Sequence, residues 1–237
     1  MVFYVGVSGF SYPGWKGKFY PEGAQNEQFL SLYSQRLKSV EINSSFYAAP
    51  GAAMVEGWSA RTDDKFRFSF KAPRLITHLA KLGKGSAESA LKFSKTLELL
   101  GSRRGPVLFQ LPPFLKADHD LLAHFLVETS GVKPRAFEFR HESWLVADTY
   151  RLLDENGAAF CIAETEDMEP VFKVTGGFAY FRLRRDSYDA KTIEQWSRKI
   201  LRTVGGSAEC YVYLRHDETG VNAVLAERLH EGLLRGK

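Results

Sequence analysis

The chain contains 237 residues, of which 44% are hydrophobic and 25% are charged. This balance is typical of a globular protein and excludes a chain that is disordered throughout. The formal net charge of +4 permits an anionic partner, including nucleic acid, without requiring one, and no apolar run is long enough to cross a bilayer.

Eight apolar runs of strand length follow one another along the chain. They are Phe3–Ser8, Val40–Phe46, Phe66–Lys71, Pro106–Leu111, Ala136–Arg140, Ala159–Glu164, Ala179–Arg184 and Cys210–Arg215. Most gaps between them carry apolar residues at helical spacing, as in Phe29, Tyr33 and Leu37. Alternating strands and helices predict a parallel sheet, and eight such units favour an α/β fold of the (β/α)8 TIM-like barrel type over an open sheet.

One of these units is incomplete. Between the sixth and seventh strands, residues 165–177 contain Pro170, Gly176 and Gly177, and the segment is too short and too broken for a full helix. We therefore predict seven outer helices, with the sixth short or missing. No Gly/Ser-rich linker or low-complexity tract divides the chain, so we expect residues 1–237 to form one barrel domain.

The two cysteines, Cys161 and Cys210, lie in the sixth and eighth strand runs. They have neither CxxC nor metal-binding spacing, so we interpret them as buried free thiols, which suits a reducing compartment. The first ten residues show no basic segment before an apolar core and no cleavage signature, which argues against a signal peptide. We therefore expect a cytoplasmic protein that has no membrane partner.

Several short motifs lie at or near the predicted strand ends. They are Ser8-Gly9-Phe10-Ser11-Tyr12, Trp15-Lys16-Gly17, Phe19-Tyr20-Pro21, Glu41-Ile42-Asn43-Ser44-Ser45-Phe46-Tyr47, Phe70-Lys71-Ala72-Pro73, Thr77-His78, Gln110-Leu111-Pro112-Pro113, Glu138-Phe139-Arg140-His141 and Ser143-Trp144. In this order they resemble the YecE-like family, the domain of unknown function that carries the number seventy-two. The resemblance covers nearly the whole chain and implies a TIM-like barrel, but it implies no established activity. After the seventh strand Arg184-Arg185 replaces the His-Gly pair that is usual in the family.

The second, third and fifth strands each have one apolar and one polar face, because successive strand residues point to opposite sides. The apolar face is expected to pack under the helices and the polar face to point into the barrel. A buried charge is costly unless it is paired. We therefore expect the carboxylates of Glu41 and Glu138 to form an ion-pair network inside the barrel. The candidate cations are Arg67, Lys71, Arg140 and Arg182. Such a network can serve the reaction, or it can only fill space and fix the register of the strands.

The working site of a TIM barrel lies at the carboxyl ends of its strands, so we selected candidate residues there. The candidate catalytic residues are Glu138, Arg140, Lys71, His141 and Glu41. The candidate substrate-binding residues are Ser8, Tyr12, Trp15, Asn43, Phe46, Tyr47, His78, Gln110, Trp144, Arg182 and Asn222. Glu138 would act as a general base or orient a neighbouring charge, and His141 would act in acid–base catalysis or orient a carboxylate.

Among the other candidates, Lys71 and Arg140 would hold an anion and stabilise charge in the transition state. The aromatic side chains suit stacking on a base or a sugar ring, or they form a hydrophobic plug in the barrel mouth. Asn222 opens a predicted helix whose free N–H groups would favour a phosphate, although Thr219 or Asp217 can equally act as a plain helix cap there.

No cofactor is predicted from the sequence. The histidines His78, His141 and His216 come from three different loops, and none has a partner at the spacing of a metal-binding motif. We therefore assign no metal ligands, although the three histidines together with nearby carboxylates contain the side-chain types that a metal site needs.

Three functions remain open from the sequence, and the first is favoured. It is an enzyme that acts on a small anionic or phosphate-bearing substrate, including nucleic acid, at the carboxyl-terminal face of the barrel. The second is an isomerase or lyase of sugars or hydroxy-carbonyl compounds, because the same Glu, Lys and aromatic residues serve proton transfer and ring stacking. The third is a non-catalytic protein that binds nucleic acid through its basic surface.

Overall fold

The structure is a computed structural model that describes residues 1–166 and 168–236. Eight parallel strands form one sheet in the order β1-β8-β7-β6-β5-β4-β3-β2. The strands are β1 Val2–Val7, β2 Ser39–Ile42, β3 Arg67–Lys71, β4 Arg104–Gln110, β5 Arg135–Glu138, β6 Ala158–Glu164, β7 Ala179–Leu183 and β8 Glu209–Leu214. Strands that are neighbours in the chain are neighbours in the sheet, so the sheet curls into a nearly closed barrel and confirms the predicted TIM-like fold.

Seven α-helices surround the barrel in the part of the chain that the structure describes. They are α1 Phe29–Arg36, α2 Ala52–Ala60, α3 Ser86–Leu97, α4 His119–Glu128, α5 Ala147–Glu155, α6 Ala190–Val204 and α7 Val221–Arg235. Among the described residues between β6 and β7 there is no helix, and Thr175 instead bridges to Phe178. The predicted absence of the sixth outer helix is therefore confirmed.

Two strands end earlier than their sequence patterns predict. The second strand ends at Ile42, and Ser44–Phe46 forms a short 3-10 turn in place of further strand. The hydroxyl of Ser45 causes this turn, because it donates to the carbonyls of Ile42 and Lys71, each at 2.7 Å, and so folds the chain over the end of β3. The fifth strand ends at Glu138, so Arg140 lies beyond it.

Phenylalanine dominates the layer between the barrel and its helices. Phe68 and Phe70 of β3, Phe109 of β4 and Phe137 of β5 are fully buried there. The rings of neighbouring strands stack, as in Phe109 and Phe137, whose centroids are 5.1 Å apart. Burying these large side chains supplies much of the hydrophobic stabilisation, and it leaves the inward face of the strands for polar residues.

Tyrosines pack the middle and the amino-terminal end of the barrel interior. The Tyr213 hydroxyl lies 2.5 Å from the Ser39 hydroxyl and 2.7 Å from the Ser69 hydroxyl. Towards the amino-terminal end, the Tyr4 ring stacks on another tyrosine, and the Arg67 guanidinium lies 5.0 Å from the centroid of the Tyr4 ring. The prediction that Arg67 joins the carboxylates of Glu41 and Glu138 is therefore wrong, because Arg67 lies at the opposite end of β3 from the barrel mouth.

The seam between β1 and β2 is closed by a side chain and not by a continuous ladder of backbone hydrogen bonds. The strands meet at the bridge between Ser8 and Glu41. Below it the buried Tyr33 hydroxyl accepts the Val7 N–H and donates to the Ser39 carbonyl, both at 2.9 Å. A Cβ atom at Gly6 would lie 1.8 Å from the Ser39 carbonyl oxygen, so β1 reaches β2 only because residue 6 is glycine.

Replacing Tyr33 by phenylalanine tests this seam. We expect the free energy of unfolding to fall by about 1–3 kcal/mol, because the buried Val7 N–H loses its acceptor. Urea unfolding measures the change. Tyr150→Phe is the matched control, since the Tyr150 ring packs edge-on against Phe160 and no described hydrogen bond uses its hydroxyl. Equal losses in the two variants would contradict this account of the seam.

Candidate active site at the barrel mouth

One guanidinium crosses the barrel interior and joins three strands. Arg182 of β7 donates to Glu41 of β2 at 2.8 Å and to Glu138 of β5 at 2.5 Å. All three side chains are buried, with 0–1% of their surface exposed. We refer to Glu41, Arg182 and Glu138 as the triad. It lies just below the carboxyl ends of the strands, where the working site of a TIM barrel is found.

Polar neighbours occupy the remaining oxygens of both carboxylates. Glu138 Oε1 accepts from Gln110 Nε2 at 2.6 Å and from Arg140 Nε at 2.8 Å. Glu41 accepts from the Ser8 hydroxyl at 3.1 Å and from the Tyr180 hydroxyl at 2.8 Å. A buried ion pair is tolerated when such hydrogen bonds complete it, so each carboxylate oxygen of the triad has a donor, whereas the buried Arg182 Nε has no hydrogen-bond partner among the described residues.

The charges of this unit decide between the two roles predicted for Glu138. Burial raises the pKa of Glu138, but the charges of Arg182 and Arg140 outweigh it and hold the pKa well below its usual range. Burial likewise opposes the charge of Arg182 at Glu41, and the pKa of Glu41 is lowered overall. A general base works best with a pKa near the working pH. The lowered pKa, together with the hydrogen bond from Arg140 Nε, favours Glu138 as a residue that orients Arg140 over one that removes a proton.

Three cationic side chains lie on the open side of the triad. They are Lys71 at the end of β3, Arg140 just after β5 and Arg184 just after β7, and we call them the mouth cations. Arg184 donates to the Ser8 hydroxyl at 2.5 Å, and the Arg140 side chain is 34% exposed. With the triad they make four cations against two carboxylates. These six groups thus carry an excess of two positive charges.

The amine of Lys71 differs from the guanidinium groups of the two arginines, because it has no hydrogen bond or ion pair to any described residue. Its Nζ lies 3.9 Å from the centroid of the Phe46 ring. Burial, and then the charge of Arg182, lower the pKa of Lys71 to about 8. Roughly a tenth of this side chain is then the neutral amine at pH 7, whereas an ordinary lysine is almost wholly protonated.

Aromatic and polar side chains from the predicted set surround Lys71 on one side. Tyr47, which is 78% exposed, and His78 both contact the Phe46 ring edge to face. Burial, followed by the charge of Lys71, lowers the pKa of His78. The buried Asn43 Oδ1 has no hydrogen-bond partner among the described residues. Phe46, Tyr47 and His78 therefore line the part of the mouth that holds the unpaired amine.

Tyr12 lies between Ser8 and the loop that follows β8. Its hydroxyl donates to the Ser8 carbonyl at 2.9 Å, and its ring stacks on His216 with centroids 4.7 Å apart. Ser8 thus contacts the triad through its hydroxyl and a loop aromatic through its carbonyl. Burial, and then the charges of Arg184 and Arg215, lower the pKa of His216.

Both predicted tryptophans are buried beneath their loops. Trp15 donates its indole N–H to the Asp217 carbonyl at 2.7 Å, and Trp144 donates to the Leu115 carbonyl at 2.8 Å. The Trp144 ring stacks on Phe139. With 0–1% of their surface exposed, these two rings hold loops in place and do not line the mouth. The prediction that Trp15 and Trp144 contact a substrate is therefore corrected.

The predicted anion contact at Asn222 is also corrected. The carboxylate of Asp217 already accepts the N–H groups of Thr219, Val221 and Asn222 at the start of α7. The buried Asn222 amide donates to the Arg215 carbonyl at 2.9 Å. A helix N-terminus favours negative charge, and here Asp217 supplies that charge. This arrangement agrees with the alternative prediction of a plain helix cap.

His141 hydrogen-bonds to a serine and not to a carboxylate that it could orient, such as Glu138 or Glu142. The His141 Nδ1 accepts the Ser143 N–H at 3.2 Å and lies 2.9 Å from the Ser143 hydroxyl. That hydroxyl in turn accepts the Ala117 N–H at 2.8 Å. These bonds cap a short turn, and they make His141 a residue that shapes the loop after β5.

Tyr180 and Arg184 belong to the site, but the sequence selection did not include them. Tyr180 lies on the same face of β7 as Arg182, and Arg184 follows the strand at the next position of the same alternation. Extending the strand alternation from Arg182 in both directions would have found them.

Among residues 1–166 and 168–236, no group of three His, Cys, Asp or Glu side chains is placed so that it could hold a metal ion. In the same residues no helix is both long and apolar enough to span a bilayer.

Replacing Arg182 by methionine tests the triad. We expect the free energy of unfolding to fall by about 3–5 kcal/mol at pH 7, because two buried carboxylates lose their shared cation. In the wild type, the lowered pKa values of Glu41 and Glu138 stabilise the fold above about pH 4.5, and this contribution is lost as the pH falls. In the variant, burial raises both pKa values, so protonation in acid relieves the cost. Urea unfolding should show a difference that shrinks from pH 7 to pH 4.

Arg151→Met is the control for this prediction. Arg151 forms exposed ion pairs on α5, which contribute little to stability. Its urea midpoint should match that of the wild type at both pH values. A loss of stability in Arg182→Met that does not change with pH would contradict the proposed charge balance.

The environment of Lys71 predicts a separate titration. With lysines carrying carbon-13 methyl groups, nuclear magnetic resonance should show a Lys71 signal with a midpoint near pH 8, because burial and Arg182 disfavour its charged form. Exposed lysines should titrate near pH 10.4. Lys71→Arg assigns the signal by removing it. A Lys71 midpoint above pH 10 would show that the amine is solvated or paired.

Comparison with known proteins relates this architecture to a family. The family model described as "Protein of unknown function DUF72" matches residues 4–236. The UPF0759 protein YunF of Bacillus subtilis is 30% identical over 154 residues, which cover 62% of this chain and 54% of YunF. The UPF0759 protein YecE of Escherichia coli K12 is 31% identical over 139 residues, which cover 58% of this chain and 48% of YecE. The chain spans about half the length of the curated relatives that it matches.

Solved structures agree with this relationship. A DUF72 family protein from Thermotoga maritima, TM1631, superposes with a TM-score of 0.85 and 26% identity, and the match covers 99% of this chain and 100% of that one. For a DUF72 family protein from Enterococcus faecalis, EF0366, the TM-score is 0.78 at 20% identity over 98% of each chain, which bears on the fold alone. The resemblance inferred from the motifs is thereby confirmed, and the chain belongs to the DUF72 family.

Proposed function

We propose that this protein is an enzyme that acts on a small phosphate-bearing substrate bound at the barrel mouth. The observation that carries the proposal is the set of mouth cations, Lys71, Arg140 and Arg184, on the open side of a triad whose carboxylates are already bonded. The triad and the mouth cations together contain two more positive charges than carboxylates. A bound phosphate would supply the missing negative charge.

The side-chain types suit this ligand. A planar guanidinium matches two phosphate oxygens at once, and a lysine adds a compact point charge. Arg140 uses Nε to bind Glu138, so the carboxylate fixes the orientation of the guanidinium plane before any ligand arrives. Arg184 is held in a similar way by the Ser8 hydroxyl. Fixed donors of this kind avoid an ordering cost when the anion binds.

Turnover, in addition to binding, is supported by Lys71. Its pKa of about 8 lets the side chain donate or accept a proton near neutral pH. The carboxylates of Glu41 and Glu138 remain ionised throughout that range and keep Arg182 and Arg140 in place. In this assignment Lys71 is the group that reacts with the bound substrate, the two arginines hold the phosphate, and the exposed ring of Tyr47 flanks the ligand.

Binding of inorganic phosphate and glycerol 3-phosphate tests the proposal. Calorimetry at constant ionic strength should detect both ligands in the wild type. Arg140→Ala and Arg184→Ala should each weaken binding about tenfold, because each removes a charge-assisted hydrogen bond. Arg228→Ala is the matched control, since Arg228 is a half-exposed residue that pairs with Glu194 on the helical surface.

Affinities that the Arg140 and Arg184 substitutions leave unchanged would overturn the site. A short single-stranded oligonucleotide measured beside the small ligands separates the substrate size classes. Binding of the oligonucleotide without binding of either small phosphate would favour a nucleic-acid partner instead. A screen of sugar phosphates and phosphodiesters then tests turnover, which Lys71→Met should abolish.

A further inference from the structure

We infer that Lys71 is a nucleophile that forms an imine with the carbonyl carbon of a phosphate-bearing aldehyde or ketone. The inference rests on the proposed phosphate site, and it names the chemical class of the substrate held there. It also selects carbonyl chemistry over phosphate-ester cleavage as the reaction at the mouth.

The position of Lys71 is the first support. It is the last residue of β3, so its Cα is fixed by the sheet, and its carbonyl accepts the Ser45 hydroxyl at 2.7 Å. The side chain is half-buried and its Nζ lies over the face of the Phe46 ring at 3.9 Å. A nucleophile on a rigid strand end, at the open end of the barrel, has the placement that a reacting group in this fold requires.

The absence of a counter-ion is the second support. Glu41 and Glu138 are the carboxylates of the triad, and their oxygens accept from Arg182 and from five other donors, one of which is the Cys161 thiol at 4.0 Å. Within residues 1–166 and 168–236, the Lys71 amine has neither an ion pair nor a hydrogen bond, and it contacts the face of the Phe46 ring. A buried lysine that served only the fold would be expected to find such a partner, because an unpaired buried charge is costly.

The electrostatic surroundings are the third support, since an amine attacks a carbonyl only in its neutral form. Burial, followed by the positive charge of Arg182, disfavours the ammonium of Lys71, while Glu138 and Glu41 oppose this effect without cancelling it. Desolvation combined with a neighbouring cation is an established way to activate a lysine nucleophile. Arg140 adds to the same effect.

The step balances without any oxidant or reductant. The neutral Lys71 amine attacks the carbonyl carbon, so a C–N bond forms, the C–O π bond breaks, and one Nζ proton passes to the oxygen. In the resulting carbinolamine the nitrogen lone pair forms the C=N bond as the C–O bond breaks, and the oxygen leaves as water with the second Nζ proton. The imine nitrogen then takes up a proton from solvent. The positive charge of the protonated imine can then withdraw electrons from the neighbouring carbon, which is the basis of isomerase and lyase reactions on sugar phosphates. Arg140 and Arg184 would hold the phosphate meanwhile.

Reductive trapping tests this inference. The wild-type protein is incubated with glyceraldehyde 3-phosphate and sodium cyanoborohydride, which reduces an imine to a stable secondary amine, and the modified lysines are identified by peptide mass spectrometry. We expect at least tenfold faster modification at Lys71 than at Lys81. Lys81 is the matched control, because it also contacts an aromatic ring, that of Phe114 at 5.2 Å, but is exposed.

Two comparisons make the result specific. Glyceraldehyde without its phosphate should modify Lys71 at least tenfold more slowly, and Arg184→Ala should slow the reaction of the phosphorylated probe while leaving Lys81 unaffected. If phosphate binds but Lys71 reacts no faster than Lys81, the imine inference is overturned while the proposed phosphate site stands. If Lys71 reacts equally with both probes and phosphate does not bind, the phosphate-bearing substrate class is overturned together with the proposed function.

Discussion

The shared guanidinium of Arg182 is the interaction on which the barrel mouth depends. Two buried carboxylates, Glu41 and Glu138, face one another across the barrel, and a single cation between them leaves a net charge of minus one in a poorly solvated place. A charge of this kind is tolerated only with further compensation. Arg140 and Arg184 supply it from the solvent side, so the positive mouth follows from the negative charge that remains in the triad.

The same arrangement explains why Lys71 stands apart. Arg182, Arg140 and the neutral donors give every carboxylate oxygen of the triad a donor, and the Lys71 ammonium is not one of them. The triad therefore keeps the arginines in fixed orientations and leaves the lysine unpaired. One set of contacts thus yields two kinds of positive group at the mouth, a pair of oriented guanidinium ions and an amine that is easily deprotonated.

Strand alternation predicts which side chains of this site point inward, but it does not predict which of them meet. Glu41, Glu138 and Arg182 follow from the two-residue period, whereas their pairing depends on the tilt of the strands around the barrel. Arg67 shows the limit, because it shares a face with Lys71 yet lies one strand length deeper. The tryptophans show a second limit. Trp15 follows a strand end like Tyr12, and only the folded loop decides that its ring lies underneath.

The closure of the barrel and the placement of the mouth cations both depend on Ser8. Gly6 and Tyr33 let β1 approach β2, and the bridge between Ser8 and Glu41 follows from that approach. The Ser8 hydroxyl then donates to Glu41 and accepts from Arg184. An anion that binds Arg184 therefore contacts a side chain that is held at the seam between β1 and β2. The contacts at this seam contribute to the rigidity with which the mouth presents its charge.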